Sequence, residues 1–192
     1  MDEPRPDLPW PPDRIDLGDG AFVRLYIPDD AEMVFEAVDR DRERLRPWLP
    51  WVDATIGSAD TRAFIEASIG TEGREFAYGI FAAGGFAGGI GLHTDPENRS
   101  AMIGYWITGE HEGQGLITRS SRSLTEIAFH DLGMHRVWLS ADATNTRSCA
   151  VAERLGFHLE GIHRGDPLRG DRFRDTVIYA ILEDEWPTSP PR

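Results

Sequence analysis

The run SAMIGYWITGEHEGQGLITRSSRSLTEIAFHDLG, from Ser100 to Gly133, leaves few architectures open. Met102, Ile103, Tyr105, Trp106 and Ile107 crowd apolar residues onto successive positions, as in a strand buried on both faces. Ile117, Ser121, Leu124, Ala128 and Leu132 then recur at helical spacing, and Gly133 is placed to end that helix. Between the two lie Gly113 and Gly115. A strand that runs through a glycine turn straight into a helix leaves first-turn N–H groups unpaired. Together with the helix dipole they attract an anion. The missing side chains would let a phosphate or pyrophosphate reach the backbone, and Thr118 could add a hydroxyl donor. The same glycines also suit a tight turn needing positive φ. The run is not the dinucleotide fingerprint, because Thr118 holds the third-glycine position, nor a P-loop, because no Gly-Lys-Ser/Thr follows.

Around this segment the pattern alternates between strands and helices. Ala21–Ile27, AFVRLYI, reads as a strand entered through GDG. Asp29 or Asp30 can cap a helix to about Arg40, with Met33, Val34, Ala37 and Val38 on one face. In RERLRPWLPWV two prolines bracket tryptophans, and an irregular segment is expected. A helix is predicted from Ser58 or Asp60 to Gly70. REFAYGIFAAGGFAGGIGLH reads as a hairpin joined at Gly84–Gly85. HRVWLSAD is a strand, Asn145 caps a helix that stops at Leu-Gly, and strands follow around His158–Arg164 and Arg174–Leu182. The order predicts an α/β fold with a mixed sheet. At 192 residues the chain is expected to hold one domain over residues 19–186. A proline-rich lead-in over 1–18 and a short tail over 187–192 complete the division.

Composition excludes several classes. A formal net charge of −13 argues against nucleic acid, which needs a basic face. It is compatible with a cationic acceptor, and solubility alone explains it equally well. No stretch approaches the ~20 apolar residues of a membrane span, and the N-terminus lacks the apolar core of a secretory signal. A cytoplasmic protein is expected. Cys149 is the single cysteine, so no internal disulfide forms. The six histidines, 93, 111, 130, 135, 158 and 163, show no H-x-x-x-H spacing, so no metal is expected. There is no G-x-S-x-G elbow.

IGYWI followed by GQGLIT, and then HRVWLSADATNTRSCAVAERLGFHLEG, resembles the GCN5-related N-acetyltransferase (GNAT) superfamily. RPWLPW and GLHTDPENRSAMIGYWI are similar to its RimJ/RimL-type branch of ribosomal-protein N-terminal acetyltransferases. The resemblance covers about Ala21 to Leu182. It implies a mostly antiparallel mixed sheet of about seven strands, flanked by about four helices, with a splayed central strand pair. It implies acetyl-CoA as co-substrate. The pyrophosphate would sit on the turn Gly113, Gln114, Gly115, Leu116, Ile117 and Thr118, and the pantetheine arm along Tyr105, Trp106 and Ile107. One departure concerns the turn, where the superfamily carries Gln or Arg and this branch often carries Gln. Here Glu110 and Glu112 stand at those positions. A carboxylate repels a pyrophosphate, so both side chains are expected to face solvent.

The implied reaction is direct attack of an amine on the thioester, most directly by a protein N-terminal α-amine. The alternatives are a small-amine or aminoglycoside N-acyltransferase, with acetyl or another acyl-CoA, and a non-catalytic CoA-binding sensor. A backbone N–H on Tyr105–Ile107 is the expected oxyanion donor. Many superfamily members protonate the thiolate with a tyrosine whose place Ala152 takes here. In the RimL-like branch a serine in an Asn-x-x-Ser context is placed to do so, which points to Ser148, with Asn145 touching the pantetheine. Asn145 can also be a plain N-cap. His93 is a candidate base on the acceptor side and Glu160 a weaker one; Trp48 and Trp51 are candidate walls of the acceptor pocket. Cys149 is read as a packed thiol. This branch includes monomers and dimers, so a homodimer is one of two expected states.

Overall fold

A computed structural model describes residues 10–187 except 70, 72–73, 84, 167 and 170–171. Within the stretch expected as a lead-in over 1–18, β1 (Arg14–Gly18) is a strand and pairs antiparallel with β2 (Ala21–Leu25). The rest of that stretch up to residue 9, and the tail from 188, lie outside the described residues. β2 ends at Leu25, two residues earlier than expected, and Pro28 opens a single 3-10 turn at Pro28–Asp30. Arg24 clamps Asp30 through two bonds of 2.7 Å, and Asp30 also accepts the Ile27 N–H at 2.9 Å. Burial opposes the charge on Asp30, but these donors outweigh it and hold the carboxyl below its usual range. That clamp sets the entry to α1 (Ala31–Arg40), whose Val34, Ala37 and Val38 are buried.

The stretch expected to be irregular contains α2 (Arg42–Leu45) and a 3-10 turn at Pro50–Asp53. Proline at the first position of that turn needs no N–H. The Arg42 guanidinium donates to the Val52 and Thr55 carbonyls and so folds the two turns together. α3 (Ser58–Ile69) follows.

β3 (Glu75–Ala82) and β4 (Gly85–Asp95) pair as the expected hairpin. Next come β5 (Ser100–Ile107), α4 (Leu116–His130), β6 (Arg136–Asp142), α5 (Thr146–Arg154), β7 (His158–His163) and β10 (Thr176–Leu182). β8 (Leu168–Arg169) and β9 (Arg172–Phe173) form a separate hairpin. The sheet runs β1-β2-β3-β4-β5-β6-β10-β7, eight strands where about seven were expected, and the described residues hold five α-helices rather than four.

All neighbours in the sheet are antiparallel except β5 and β6. Those two run parallel and pair only through Ser100–Met102 against Arg136–Trp138. Beyond Met102 they part, which is the expected splay. The sheet divides two apolar clusters. Ala101 and Ile103 of β5 join a core with Leu116, Leu124 and Ala128 of α4, while Trp106 packs with Val34, Val38, Leu45, Val52 and Ile65 on the opposite face. Each fully buried Leu or Ile in these clusters contributes about 1.5–3 kcal/mol.

Candidate active site

The donor side is built at the end of β5. A short 3-10 turn at Gly109–His111 leads to Gly113 and Gly115, with φ of 76° and 72°. A Cβ on Gly113 would meet nothing within 4 Å. Glycine is needed there for the backbone angle rather than for space. Gly115 is the N-cap of α4, and no side chain caps that helix. The amides of Leu116–Thr118 are therefore left for a ligand. Leu116 is buried and anchors the turn. Arg154 donates to the Thr118 hydroxyl at 3.4 Å. An Nη of Arg119 would lie 3.9 Å from a Cβ on Gly115.

Glu110 and Glu112 do not simply face water. Glu110 pairs with Arg40 at 3.1 Å and remains exposed. Glu112 is largely covered, pairing with Arg44 at 2.6 Å and with Arg147. Arg44 also bonds Asp41 at 2.8 Å and donates to the Ile107 carbonyl, and Asp41 accepts the Gly109 N–H at 2.6 Å. Burial opposes ionisation of Asp41, but these partners win and lower its pKa. The turn is thus braced from α2. Arg44 and Arg147 against Glu112 and Asp41 leave the cluster formally neutral, so the Glu112 charge is compensated beside the turn. The charge conflict in the sequence is answered by arginines 68 and 35 residues away along the chain.

The splay holds a hydroxyl pair. Asn145 accepts the Ser148 N–H at 3.2 Å, an N-cap bond that fixes the first turn of α5. Tyr105, on β5, reaches across the gap to bring its hydroxyl 2.8 Å from Ser148 Oγ. Burial pushes the Tyr105 phenol up to about 12, so its proton is present at neutral pH. The hydroxyl beside Ser148 thus comes from β5, while the helix α5 carries Ala152 where the superfamily run has tyrosine. Burial also raises the half-buried Cys149 thiol, which lowers its share of reactive thiolate.

On the opposite face of β5 lies a cavity of about 450 Å³. Trp51, Trp106, Phe64, Phe76 and Leu49 supply apolar wall, and His93, Glu75 and Asp60 supply charge or proton-binding groups. The Trp51 and Trp106 rings meet edge to face, 6.2 Å apart. The Tyr26 hydroxyl is buried without a hydrogen-bond partner, and burial raises its pKa. A Cβ on Gly89 would lie 2.6 Å from that hydroxyl and from Trp106 Nε1.

Of the acceptor-side residues expected from sequence, Trp51 and His93 line this cavity and Trp48 does not. The Trp48 ring lies 5.9 Å from the Arg174 guanidinium instead. Glu160 sits on β7, paired with Arg136 at 2.7 Å, and is not a cavity residue. Tyr26, Asp60, Phe64 and Glu75 were missed. Glu75 could have been found by pairing the hairpin, but the register shifts by one between Ile80 and Phe81, and such a bulge has no local signature here.

Comparison with known proteins agrees with this architecture. Residues 22–158 match the acetyltransferase (GNAT) domain model. A Bacillus subtilis (strain 168) protein, YdaF, provisionally named a ribosomal N-acetyltransferase, is 38% identical over 171 residues, covering 85% of this chain and 92% of that protein. The ribosomal-protein-serine acetyltransferase of Escherichia coli (strain K12) is 27% identical over 173 residues, covering 88% and 97%. The solved structure of RimL, a ribosomal L7/L12 α-N-protein acetyltransferase in complex with coenzyme A, superposes with a TM-score of 0.85. It is 24% identical and covers 88% of this chain and 97% of its own, a likeness of fold. The chain belongs to the GNAT family of N-acetyltransferases. The two relatives just described are named for ribosomal proteins.

Proposed function

We propose that this chain moves the acetyl group of acetyl-CoA onto a primary amine, most directly the α-amine at a protein N-terminus. The observation that carries the reading is the Tyr105–Ser148 hydroxyl pair, 2.8 Å apart in the β5–β6 splay, with the glycine turn at one end and the aromatic cavity across β5. Acetyl-CoA supplies an activated acyl group and a thiolate leaving group. The residues present fit it. The uncapped amides of Leu116–Thr118 and the overhanging Arg119 suit a pyrophosphate. The unpaired edges of β5 beyond Met102 suit an extended amide-bearing arm. Asn145 is already engaged as an N-cap through Oδ1, which leaves its amide N–H₂ free for such an arm. Ser148, or Tyr105 through Ser148, donates the proton that the departing thiolate needs.

The acceptor enters from the other face. Among the described residues no lysine or arginine lines the cavity, and the chain carries −13 overall, so an ammonium group is drawn in. The E. coli and RimL proteins, named for ribosomal-protein acceptors, favour a protein amine here. The test is a release assay for free CoA over peptides with different first residues, small amines and aminoglycosides, with mass spectrometry of the product. Acetylation confined to peptide α-amines supports the reading. Turnover only with small amines or aminoglycosides, or only with another acyl-CoA, assigns the acceptor or donor differently. Tight CoA binding without turnover makes the chain a CoA sensor.

A further inference from the structure

Glu75 of β3 and His93 of β4 are cross-strand partners at one register position, and both side chains line the cavity. His93 Nδ1 lies 3.5 Å from Glu75 Oε1, within ion-pair range. The other ring nitrogen faces elsewhere. A Cβ on Gly91 would lie 3.4 Å from Nε2, and one on Gly104 3.8 Å. The imidazole thus leans across two bare glycines toward Gly104, two residues past the point where β5 and β6 stop pairing. A Cβ at either glycine would touch the ring at ordinary contact distance, so both positions lie directly beneath Nε2.

We propose that His93 Nε2 is the proton acceptor for the incoming amine, and that Glu75 is its positioning residue, holding Nδ1 and stabilising the imidazolium. The inference rests on the amine-transfer reading above and names the proton path that reading lacks. An ammonium at the cavity floor gives one proton to neutral His93, and the freed lone pair forms the N–C bond as the C–S bond breaks. The nitrogen loses a second proton to solvent, and the thiolate gains one from the Tyr105–Ser148 pair, which solvent restores. The sum is ammonium plus thioester giving amide, thiol and one proton. That proton can leave, because the His93 and Glu75 side chains are 40% and 42% exposed.

The other titratable groups around the cavity have different tasks. Asp60 accepts the Ile56 and Gly57 amides at 2.9 and 3.1 Å. Tyr26 is a buried phenol on the far wall, and Tyr105 points through the sheet to Ser148. Arg74, beside Glu75 in the chain, pairs with Glu97 at 3.9 Å. Glu75 is therefore the carboxylate that His93 meets.

The experiment is the pH profile of kcat/KM for wild type, His93→Gln and Glu75→Gln. The probes are acetyl-CoA with peptides beginning in serine or alanine and with a simple polyamine. Acetyl-CoA affinity is measured alongside. His93→Gln is expected to lose about 10²-fold in kcat/KM near neutrality and to recover toward high pH, where the amine loses its own proton. Its acetyl-CoA affinity should stay within twofold. Glu75→Gln should lose several-fold, carried by kcat rather than by the acceptor KM, as expected of a group that positions His93 rather than binding the amine. A His93→Gln profile parallel to wild type at every pH would overturn the role and leave His93 a binding contact, and wild-type kcat/KM would overturn it outright. A wild type that releases CoA with none of the probes refutes the amine-transfer reading itself, and the proton path with it.

Discussion

The two faces of β5 are built by different means. Toward α4 and α5, the donor side is made of backbone: a glycine turn, uncapped amides, a strand edge without a partner and one hydroxyl pair. Toward α1 and α3, the acceptor side is made of side chains, with aromatic walls and a rim of His93, Glu75 and Asp60. Backbone suits the CoA arm and phosphates proposed to bind there, since it presents the same groups whatever the side chains. Side chains can change one at a time, so they suit the part that differs between enzymes. The difference teaches that variants on the two faces should separate cleanly into donor and acceptor phenotypes.

Gly115→Glu should produce the largest effect. It sets a charged residue at a φ of 72°, strained for any side chain, where the pyrophosphate is proposed to lie. CoA affinity is expected to fall beyond detection while the fold, followed by circular dichroism, persists. Calorimetry that finds unchanged CoA affinity in the folded variant would blur the two faces.

Ser148→Ala comes next. If the hydroxyl pair protonates the thiolate, kcat falls by about 10–10²-fold, the low end because a CoA thiol already leaves well, and acetyl-CoA affinity stays near normal. Tyr105→Phe, which keeps the ring, should lower kcat less than Ser148→Ala does. Cys149→Ala is the control and should be nearly silent. Wild-type kcat in Ser148→Ala, with chemistry rate-limiting, would remove the pair from the mechanism.

Trp51→Ala opens the cavity wall that meets Trp106 edge to face. It should raise the acceptor KM about tenfold, in line with ~1–1.5 kcal/mol for an aromatic contact, and leave CoA affinity unchanged. Loss of CoA affinity in this variant would show the faces to be coupled.

The asymmetry also explains what could be read in the chain before its structure. The proposed donor side could be read as a pattern because its parts are consecutive: Tyr105 to Thr118 on one side of the splay and Asn145 to Ser148 on the other. What escaped there was long-range. Arg44 and Arg147 cover Glu112, so a carboxylate expected to face solvent is bound in place, and no local pattern announces a partner 68 residues distant. The acceptor side draws on Tyr26 just past β2, on α1, the turn at Pro50–Asp53, α3, β3, β4 and β5 together. His93 and Trp51 stood out as residue types, but Tyr26 and Phe64 read as ordinary core. Trp48, expected beside Trp51, lies near Arg174 instead, because Pro50 begins a turn that separates the two tryptophans. The fold itself was legible from strand and helix periodicity. β1 and α2 were missed because they are short, five and four residues, and are held by pairing and by Arg42 rather than by propensity.

The smallest expected effect concerns charge. The acceptor KM should rise a few-fold between low and high ionic strength, since salt screens exposed charges beyond ~8–10 Å, while CoA affinity falls through screening of Arg119, Arg147 and Arg154. A KM that ignores salt would mean that the −13 charge serves solubility alone.

The claim beneath all of these is that one strand separates donor from acceptor. A crystal structure of the protein with CoA bound tests it most directly. The account predicts pyrophosphate density on the amides of Gly113–Thr118 and the pantetheine arm between β5 and β6. The thiol should lie within reach of Ser148 and Tyr105, and the Trp51–Trp106 cavity should stay clear of the cofactor. Density for the arm inside that cavity, or phosphates bound away from the glycine turn, would contradict it.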